Sequence, residues 1–189
     1  MQKNLEVEFK SLLTKEEYER LISKFEGSRS DLQTNHYFDT SRFSLKAIDC
    51  SFRVRERNNF EITLKRKKGY QILEKNLAIT KEAFEDLKQT GYVDDDDLQD
   101  ELLGLIGTQK LINFMSLSTL RYYLPYKNGI LFIDKSTYLG ITDYELEYEA
   151  KSYHGGKKEF VEIINELGIQ YKKADKKIKR AYNALKNIH

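Results

Sequence analysis

Cysteine is almost absent from this chain of 189 residues, which contains only Cys50. A single cysteine cannot form an internal disulfide, and it excludes a zinc site built from several thiolates. This usage is typical of reducing compartments. Runs of 18 apolar residues are also lacking, and the opening stretch MQKNLEVEFK has no apolar core of a signal peptide. We therefore predict a soluble, cytoplasmic protein that does not act at a membrane.

Proline is equally scarce, with one residue, and no Pro- or Ser-rich stretch divides the chain. The length and the 40% apolar content suit one domain with a proper core, and we expect residues 1–189 to form a single domain. An excess of one charge is missing too, since 32 basic residues face 30 acidic ones. The net charge of +2 does not favour a nucleic-acid partner, so any electrostatic function must come from local segregation of charge.

The pattern that is present alternates groups of strands with helices. Thr14 and Glu17 form a capping box, which predicts a helix that stops at Gly27. Strands are predicted at 5–10, 36–39, 51–57, 60–67, 71–78, 115–126, 130–138 and 142–150, with a turn at Lys68-Gly69 and with Gly155-Gly156 ending the last group. Further helices are predicted within 80–106, near 157–167 and near 173–187. Eight mostly antiparallel strands with helices between and after them indicate an α+β fold.

Charged residues in these strands are sorted by sign when every second residue is taken as one face. The sorted faces are Glu6, Glu8 and Lys10; Arg53, Arg55 and Arg57; Glu61, Thr63, Lys65 and Lys67; and Glu145, Glu147 and Glu149. An antiparallel sheet with one face in water explains such alternation without any function. A solvated face usually mixes its charges, however, because like pairs across strands destabilise the sheet.

A closed sheet gives the sorting a second interpretation. Eight strands of this length can close into a barrel, and like charges facing its lumen would need a compensating ligand. Carboxylates suit Mg²⁺ or Mn²⁺, whereas Arg and Lys suit phosphate oxygens. A polyanion bound together with a divalent cation would meet both demands.

The chain resembles the CYTH superfamily, the triphosphate tunnel metalloenzymes. Residues 6–10, EVEFK, match the ExExK signature of that family. The likeness continues in the family's order through YFDT at 37–40, RVR at 53–55 and ELE at 145–147, and it covers nearly the whole chain. It is nearest to the compact Firmicute-type members, described as CYTH-domain, adenylate cyclase-like or thiamine triphosphatase-like proteins. The resemblance implies a single CYTH domain, an eight-stranded antiparallel closed β-barrel, or tunnel, with flanking helices.

The resemblance also implies a divalent-metal-dependent triphosphatase that hydrolyses inorganic triphosphate, with nucleoside or thiamine triphosphate as further substrates. The carboxylates implied to bind Mg²⁺ or Mn²⁺ are Glu6, Glu8, Glu145 and Glu147, supported by Asp134. The basic residues implied to hold the phosphates are Arg53, Arg55, Lys65, Arg121 and Lys177, and strand or helix phase adds Lys67 and Arg180. Lys10 and Tyr37 resemble a Lys–Tyr pair proposed to activate water or manage the proton.

Two features depart from the family pattern. Cyclase members carry a His-Phe pair ahead of ExExK, whereas this chain has MQKNL there, which counts against a class IV-like adenylate cyclase. Asn76 stands where many members have a charged residue, which predicts reduced activity or a shifted substrate. A non-catalytic polyphosphate or nucleotide sensor with the same tunnel is an alternative function. We expect a monomer or homodimer with a small-molecule triphosphate as its partner.

Two other conspicuous features receive structural interpretations. The run DDDD at 94–97 is expected to be a solvated helix cap and not a metal site. The isolated histidines, His36, His154 and His189, are expected to be surface or turn residues and not ligands.

Overall fold

A computed structural model describes residues 7–68 and 71–187 of the chain. Glu6, Gly69 of the predicted turn and His189 lie outside these ranges. The elements in chain order are β1 (Val7–Leu13), α1 (Lys15–Lys24), β2 (Arg29–Asp39), α2 (Ser44–Ala47), β3 (Cys50–Glu56), β4 (Phe60–Lys68), β5 (Gln71–Ile79), α3 (Lys81–Thr90), α4 (Asp96–Ile106), β6 (Ile112–Tyr126), β7 (Gly129–Tyr138), β8 (Ile141–Ala150), α5 (Tyr153–Glu166) and α6 (Lys177–Lys186).

The eight strands form an antiparallel sheet in the order β1-β8-β7-β6-β2-β3-β4-β5, with helices flanking it. The prediction of an α+β fold with eight antiparallel strands is therefore confirmed. Contacts divide the chain into two compact units: the terminal unit, Met1–Leu32 with Ser118–His189, and the central unit, Gln33–Leu117.

Local sequence signals explain where several helices begin. The Thr14 hydroxyl accepts a hydrogen bond from the Glu17 backbone N–H at 3.1 Å, and the Glu17 carboxylate accepts one from the Thr14 N–H at 2.8 Å. The predicted capping box of α1 is thus confirmed. Asp95 caps α4 by accepting from the Leu98 N–H at 2.8 Å, which confirms that DDDD begins a helix. The short helix α2 was not predicted, and the carboxylate of Asp39 in the YFDT stretch binds two of its backbone N–H groups.

The central unit packs one face of β3 and β4 against α3 and α4. Phe52, Val54, Ile62 and Leu64 are all buried in this core, as their alternation with charged residues predicts. The opposite faces of β3 and β4 carry the basic residues.

The terminal unit has a second core, in which β7 and β8 pack against α1 and α5. Leu131 and Ile133 of β7 and Leu146 and Tyr148 of β8 are fully buried in it. The alternate residues of β7 and β8 lie on the other face of these strands, and they form the site described next. None of the helices in the described part of the chain is long and apolar enough to cross a membrane.

A buried carboxylate cluster as the candidate functional site

Two neighbouring strands bring three carboxylates together in the terminal unit. Glu145 and Glu147 alternate with the core residue Leu146 on β8, and Asp134 lies directly opposite Glu145 on β7. Asp134 and Glu145 are completely buried, and Glu147 is 4% exposed. One oxygen from each carboxylate lies within 4.8 Å of the others. We call Asp134, Glu145 and Glu147 the carboxylate triad.

Lys177, the first residue of α6, places its ammonium among all three carboxylates. Nζ lies 2.8 Å from Asp134 Oδ2, 2.7 Å from Glu145 Oε1 and 2.5 Å from Glu147 Oε1. The side chain is 14% exposed, so these ion pairs are largely shielded from water. Burial opposes the charged form, but the three carboxylates outweigh it and raise the pKa of Lys177. The lysine is therefore an internal counter-ion of the triad.

Three more cations surround the same carboxylates. Arg121 on β6 donates to both oxygens of Asp134, at 2.8 and 2.6 Å, and to Glu147 at 2.6 Å. Arg180, one turn after Lys177 on α6, donates to Glu145 at 2.5 Å. Lys10 on β1 lies opposite Glu147 and contacts its Oε1 at 3.3 Å and Glu8 Oε2 at 2.8 Å. In this unit, the carboxylates predicted to bind metal are therefore in direct contact with the basic residues predicted to bind phosphate.

The surroundings of Glu145 and Glu147 shift the pKa values of the two residues in opposite directions. Burial, reinforced by the adjacent Glu147, raises the pKa of Glu145 to about 7. Burial also disfavours the charged form of Glu147, but a hydrogen bond from Glu145, together with the charges of Lys177 and Arg121, holds the pKa of Glu147 below its ordinary value. A cation beyond those present would favour the ionised form of both residues.

The triad fits a hard divalent cation. Three buried carboxylates converge within 4.8 Å, and the described residues contribute no histidine or cysteine to this group. Oxygen donors of this kind suit Mg²⁺ or Mn²⁺. Asp134, Glu145 and Glu147 are the residues that would hold the ion.

Not every predicted metal ligand joins the triad. Glu8 is 43% exposed in its side chain and is paired with Lys10. Glu6 lies outside the described residues. The structure therefore brings together three of the five carboxylates that the sequence proposed.

The surroundings of Lys10 favour its charged ammonium form over the neutral amine. Burial lowers its proton affinity, but Glu147 and Glu8 outweigh it, so the pKa of Lys10 is raised. An amine that accepts a proton from water requires a lowered pKa. Lys10 is therefore suited to donate hydrogen bonds to an anion.

The central unit carries the second group of predicted residues on one face of β2, β3 and β4. Arg53 lies between Tyr37 on β2 and Thr63 on β4, and Arg55 lies between Asn35 and Glu61. Asn35 accepts from Arg55 Nε at 3.2 Å, while Arg53 Nε is buried and has no hydrogen-bond partner among the described residues. The predicted arginine face of β3 is confirmed.

The remaining predicted residues of the central unit differ in their surroundings. Lys65 pairs with Glu74 of β5 at 3.0 Å, Lys67 is exposed, and Tyr37 is 6% exposed with its ring near Phe114. His36 was expected at the surface or in a turn, but it falls within the strand predicted at 36–39, and its side chain is only 14% exposed. It lies in β2 and bonds Glu56 at 2.9 Å and Ser116 at 2.8 Å, because two polar cross-strand neighbours satisfy its ring.

Sequence reasoning missed two polar residues beside the triad. Asp143 precedes Glu145 by two residues on β8, and Tyr138 at the end of β7 donates to it at 2.8 Å. The alternation along TDYELEYEA contained the signal for Asp143, since every second residue there shares the face of Glu145. Tyr138 carried the same signal, because it lies four residues after Asp134 on β7 and so shares the face of Asp134.

Comparison with known proteins identifies the family. The model of the CYTH domain matches residues 4–182. The chain belongs to the CYTH family. A Bacillus subtilis (strain 168) relative named "Putative triphosphatase YjbK" is 33% identical over 187 residues, which cover 96% of each protein. The family predicted from ExExK and the strands that follow is confirmed.

Solved CYTH-like structures support the same fold. A Bacillus halodurans protein described as a "putative adenylate cyclase" is 35% identical, with a TM-score of 0.80 over 95% of this chain and 98% of that one. HpAC1 from Hippeastrum, described as a "putative adenylyl cyclase" with a dominant triphosphatase activity, is 20% identical. Its TM-score is 0.70 over 91% of this chain and 93% of that one, and at this identity the likeness concerns the fold.

Proposed function

We propose that this CYTH protein is a divalent-metal-dependent triphosphatase that hydrolyses a terminal phosphoanhydride, with inorganic triphosphate as its first substrate. The carboxylate triad with four cations around it carries the proposal. Three converging carboxylates suit Mg²⁺ or Mn²⁺, and lysine and arginine donors suit phosphate oxygens. The activities named for the Bacillus subtilis and Hippeastrum relatives agree with this reaction.

Each group of the terminal unit has a distinct role in this proposal. Asp134, Glu145 and Glu147 hold the divalent cation, joined by Glu8 and Glu6 as the family signature implies. When bound, that cation supplies positive charge to the phosphate oxygens of the substrate. Arg121, Lys177 and Arg180 donate to the phosphates, and their fixed charges stabilise the negative charge that develops on the leaving diphosphate.

Lys10 and Tyr37 are proposed to act on the transferring phosphoryl group and its water. The raised pKa of Lys10 supports a role as a hydrogen-bond donor to a phosphate oxygen. Tyr37 keeps a nearly buried side chain in β2, beside Arg53. Arg53, Arg55, Lys65 and Lys67 complete the proposed phosphate-binding set.

The finer architecture belongs to the same proposal. We propose that the eight-stranded sheet closes into a tunnel and that residues 1–189 are one CYTH domain. Support comes from the family model, which spans residues 4–182. A closed sheet also leaves no unpaired strand edge, which favours closure on general grounds.

The reaction is tested with purified protein and Mg²⁺ or Mn²⁺. Inorganic triphosphate, ATP and thiamine triphosphate are offered separately, while phosphate, diphosphate and cyclic AMP are followed. We expect phosphate release from triphosphate, loss of turnover in Glu147→Gln and in Glu8→Gln, and weakened substrate binding in Arg55→Ala. Tight triphosphate binding with no turnover would instead identify a sensor, and cyclic AMP as the main product would identify a cyclase. Full activity in all three variants would refute the site.

A further inference from the structure

Two carboxylates lie against the guanidinium of Arg180. Its Nη1 donates to Glu145 Oε2 at 2.5 Å, and its Nε forms an ion pair with Asp143 Oδ2 at 3.3 Å. The side chain is only 11% exposed. Nε and Nη2 are both buried, and neither has a hydrogen-bond partner in the described part of the chain, so the contact with Asp143 is an ion pair and not a hydrogen bond. Nη1 is therefore hydrogen-bonded, Nε is held by charge alone, and the donors of Nη2 are buried without an acceptor among the described residues.

Asp143 is itself fixed by Tyr138. The Tyr138 hydroxyl donates to Asp143 Oδ2 at 2.8 Å, the same oxygen that faces Arg180. Burial and the Asp143 carboxylate raise the pKa of Tyr138 to about 12, so the hydroxyl stays protonated and keeps donating near neutral pH. Oδ1 of Asp143 is buried without a partner among the described residues. Tyr138, Asp143 and Arg180 thus form a chain in which each member orients the next.

Two anchoring carboxylates are needed to fix a planar group. A guanidinium held at Nη1 alone can swing about that single bond, whereas a second anchor near Nε fixes its plane and the direction of Nη2. Buried N–H donors without a partner are costly, and such a group calls for an acceptor. A phosphoryl oxygen is an acceptor that matches both the charge and the fork geometry of arginine.

We infer that Asp143 and Tyr138 are positioning residues, which fix Arg180 so that its Nη2 donates to a phosphoryl oxygen of the substrate. The inference rests on the proposed triphosphatase function and adds two residues to it. Asp143 acts through Arg180 and does not itself bind phosphate, since its charge would repel one. Its loss therefore weakens binding of the phosphate chain and leaves the carboxylate triad in place.

The test measures binding without turnover. Imidotriphosphate, a non-hydrolysable triphosphate analogue, is titrated calorimetrically with Mg²⁺ into wild type and Asp143→Asn. Asparagine keeps the volume and still accepts from Tyr138, but it lacks the charge that holds Arg180. We expect the Kd to rise at least about tenfold, the effect of one lost hydrogen bond to a charged group. KM for triphosphate should rise in parallel, while kcat changes by less than about threefold because the triad remains.

A double-mutant cycle separates positioning from a merely structural role. Arg180→Gln should raise the Kd as much as Asp143→Asn, and Asp143→Asn should add nothing in the Arg180→Gln background. Tyr138→Phe should give a smaller increase, since it removes only the donor that orients Asp143. Asp175→Asn is the matched control, because Asp175 pairs with Lys179 on the exposed side of the same region. That control should leave the Kd unchanged.

Four outcomes overturn the inference. Additive effects of the two mutations, or an unchanged Kd in Asp143→Asn, would show that Arg180 does not depend on Asp143. A large loss of Mn²⁺ affinity in Asp143→Asn would assign Asp143 to the metal ligands instead. Wild-type protein that neither binds the analogue nor hydrolyses triphosphate would overturn this inference together with the proposed function, whereas failure of the variants alone leaves that function intact.

Discussion

At the residue scale, Lys177 decides how the carboxylate triad is neutralised. Its ammonium lies within 2.8 Å of an oxygen of Asp134, Glu145 and Glu147. A divalent cation bound to the same oxygens cannot share that position with the ammonium. If the proposed divalent cation binds these oxygens, Lys177 would have to leave the triad, and its ammonium would then be available to the proposed phosphate substrate.

Lys177→Met is expected to have opposite effects on stability and on metal affinity. Metal-free protein should lose about 3 kcal/mol of unfolding free energy, the lower end for breaking a buried ion pair, because Arg121 still neutralises part of the charge. Affinity for Mn²⁺ alone should rise, since the ion no longer competes with an ammonium. Urea unfolding with and without chelator and calorimetric Mn²⁺ titration measure the two effects.

Lys179→Met provides the comparison, because Lys179 is 62% exposed on the same helix and pairs only with Asp175 among the described residues. It should change neither quantity by more than a few tenths of a kcal/mol. Weaker Mn²⁺ binding in Lys177→Met would contradict the competition.

The sequence predicted which carboxylates form the triad, but it did not predict which basic side chains contact them. Glu145 and Glu147 follow from period-two alternation, and Asp134 came with the family pattern. Alternation cannot reveal which basic residue contacts which acid, because those pairs join positions 13 to 43 residues apart. Arg121, Lys177 and Arg180 were therefore predicted as phosphate ligands, and their contacts with the carboxylates emerged only from the fold.

At the element scale, the glycine pair in α5 shows where local signals mislead. Gly155-Gly156 was expected to end the last group of strands, but the prediction is wrong, and both residues lie inside α5. Glycine usually marks a turn because it lowers helix propensity. Gly156 is buried where α5 crosses β1 and β8, and a Cβ there would collide with Ala150 and with Phe9. Close packing therefore overrides propensity at this position.

Gly156→Ala is expected to destabilise the protein by about 1–3 kcal/mol, the usual cost of overpacking a core. The added methyl would collide with Ala150 Cβ on β8 and lie 2.7 Å from Phe9 Cε2 on β1, so α5 must shift away from these strands. Since β1 also carries Lys10, turnover of triphosphate should fall as well. Thermal unfolding and the phosphate-release assay measure both effects.

Gly155→Ala is the matched control for this helix. Its Cβ would meet only the Ser152 hydroxyl oxygen at 3.0 Å, which a side-chain rotation relieves. Alanine also favours a helix over glycine by about 0.5–1 kcal/mol, so stability should be unchanged or slightly higher. Equal losses in the two variants would contradict the packing argument.

Strands in which apolar and charged residues alternate regularly were predicted well. Elements whose position depends on tertiary contacts were not. β3, β4 and β5 lie within about two residues of their predicted bounds, because Phe52, Val54 and Ile62 alternate strictly with charges. β2 begins at Arg29, seven residues before the predicted strand, in the mixed stretch RSDLQTN. Helix α2 depends on the Asp39 carboxylate, a contact that no helical period announces.

At the scale of the whole molecule, a net charge of +2 conceals a site that is almost balanced by itself. Five carboxylates of the terminal unit, Glu8, Asp134, Asp143, Glu145 and Glu147, are paired with four cations, Lys10, Arg121, Lys177 and Arg180. With all of them ionised, the site carries one negative charge. A divalent cation reverses that sign in the terminal unit, which predicts that the proposed polyanionic substrate binds more tightly after the metal.

This order of binding should appear as coupled stabilisation of the protein. Mg²⁺ with imidotriphosphate at about 100 times its Kd should stabilise the folded state by about 2.7 kcal/mol, or roughly 5–10 °C in Tm for a chain of this size. Imidotriphosphate with a chelator should give a smaller shift, because the charges of the terminal unit then sum to minus one and only the proposed basic residues of the central unit attract phosphate. Diphosphate, which is shorter and carries less charge, should shift Tm less than the triphosphate analogue does. An equal shift with and without the metal, measured by calorimetry at fixed ionic strength, would show that the four cations bind phosphate unaided and would refute the charge-reversal argument.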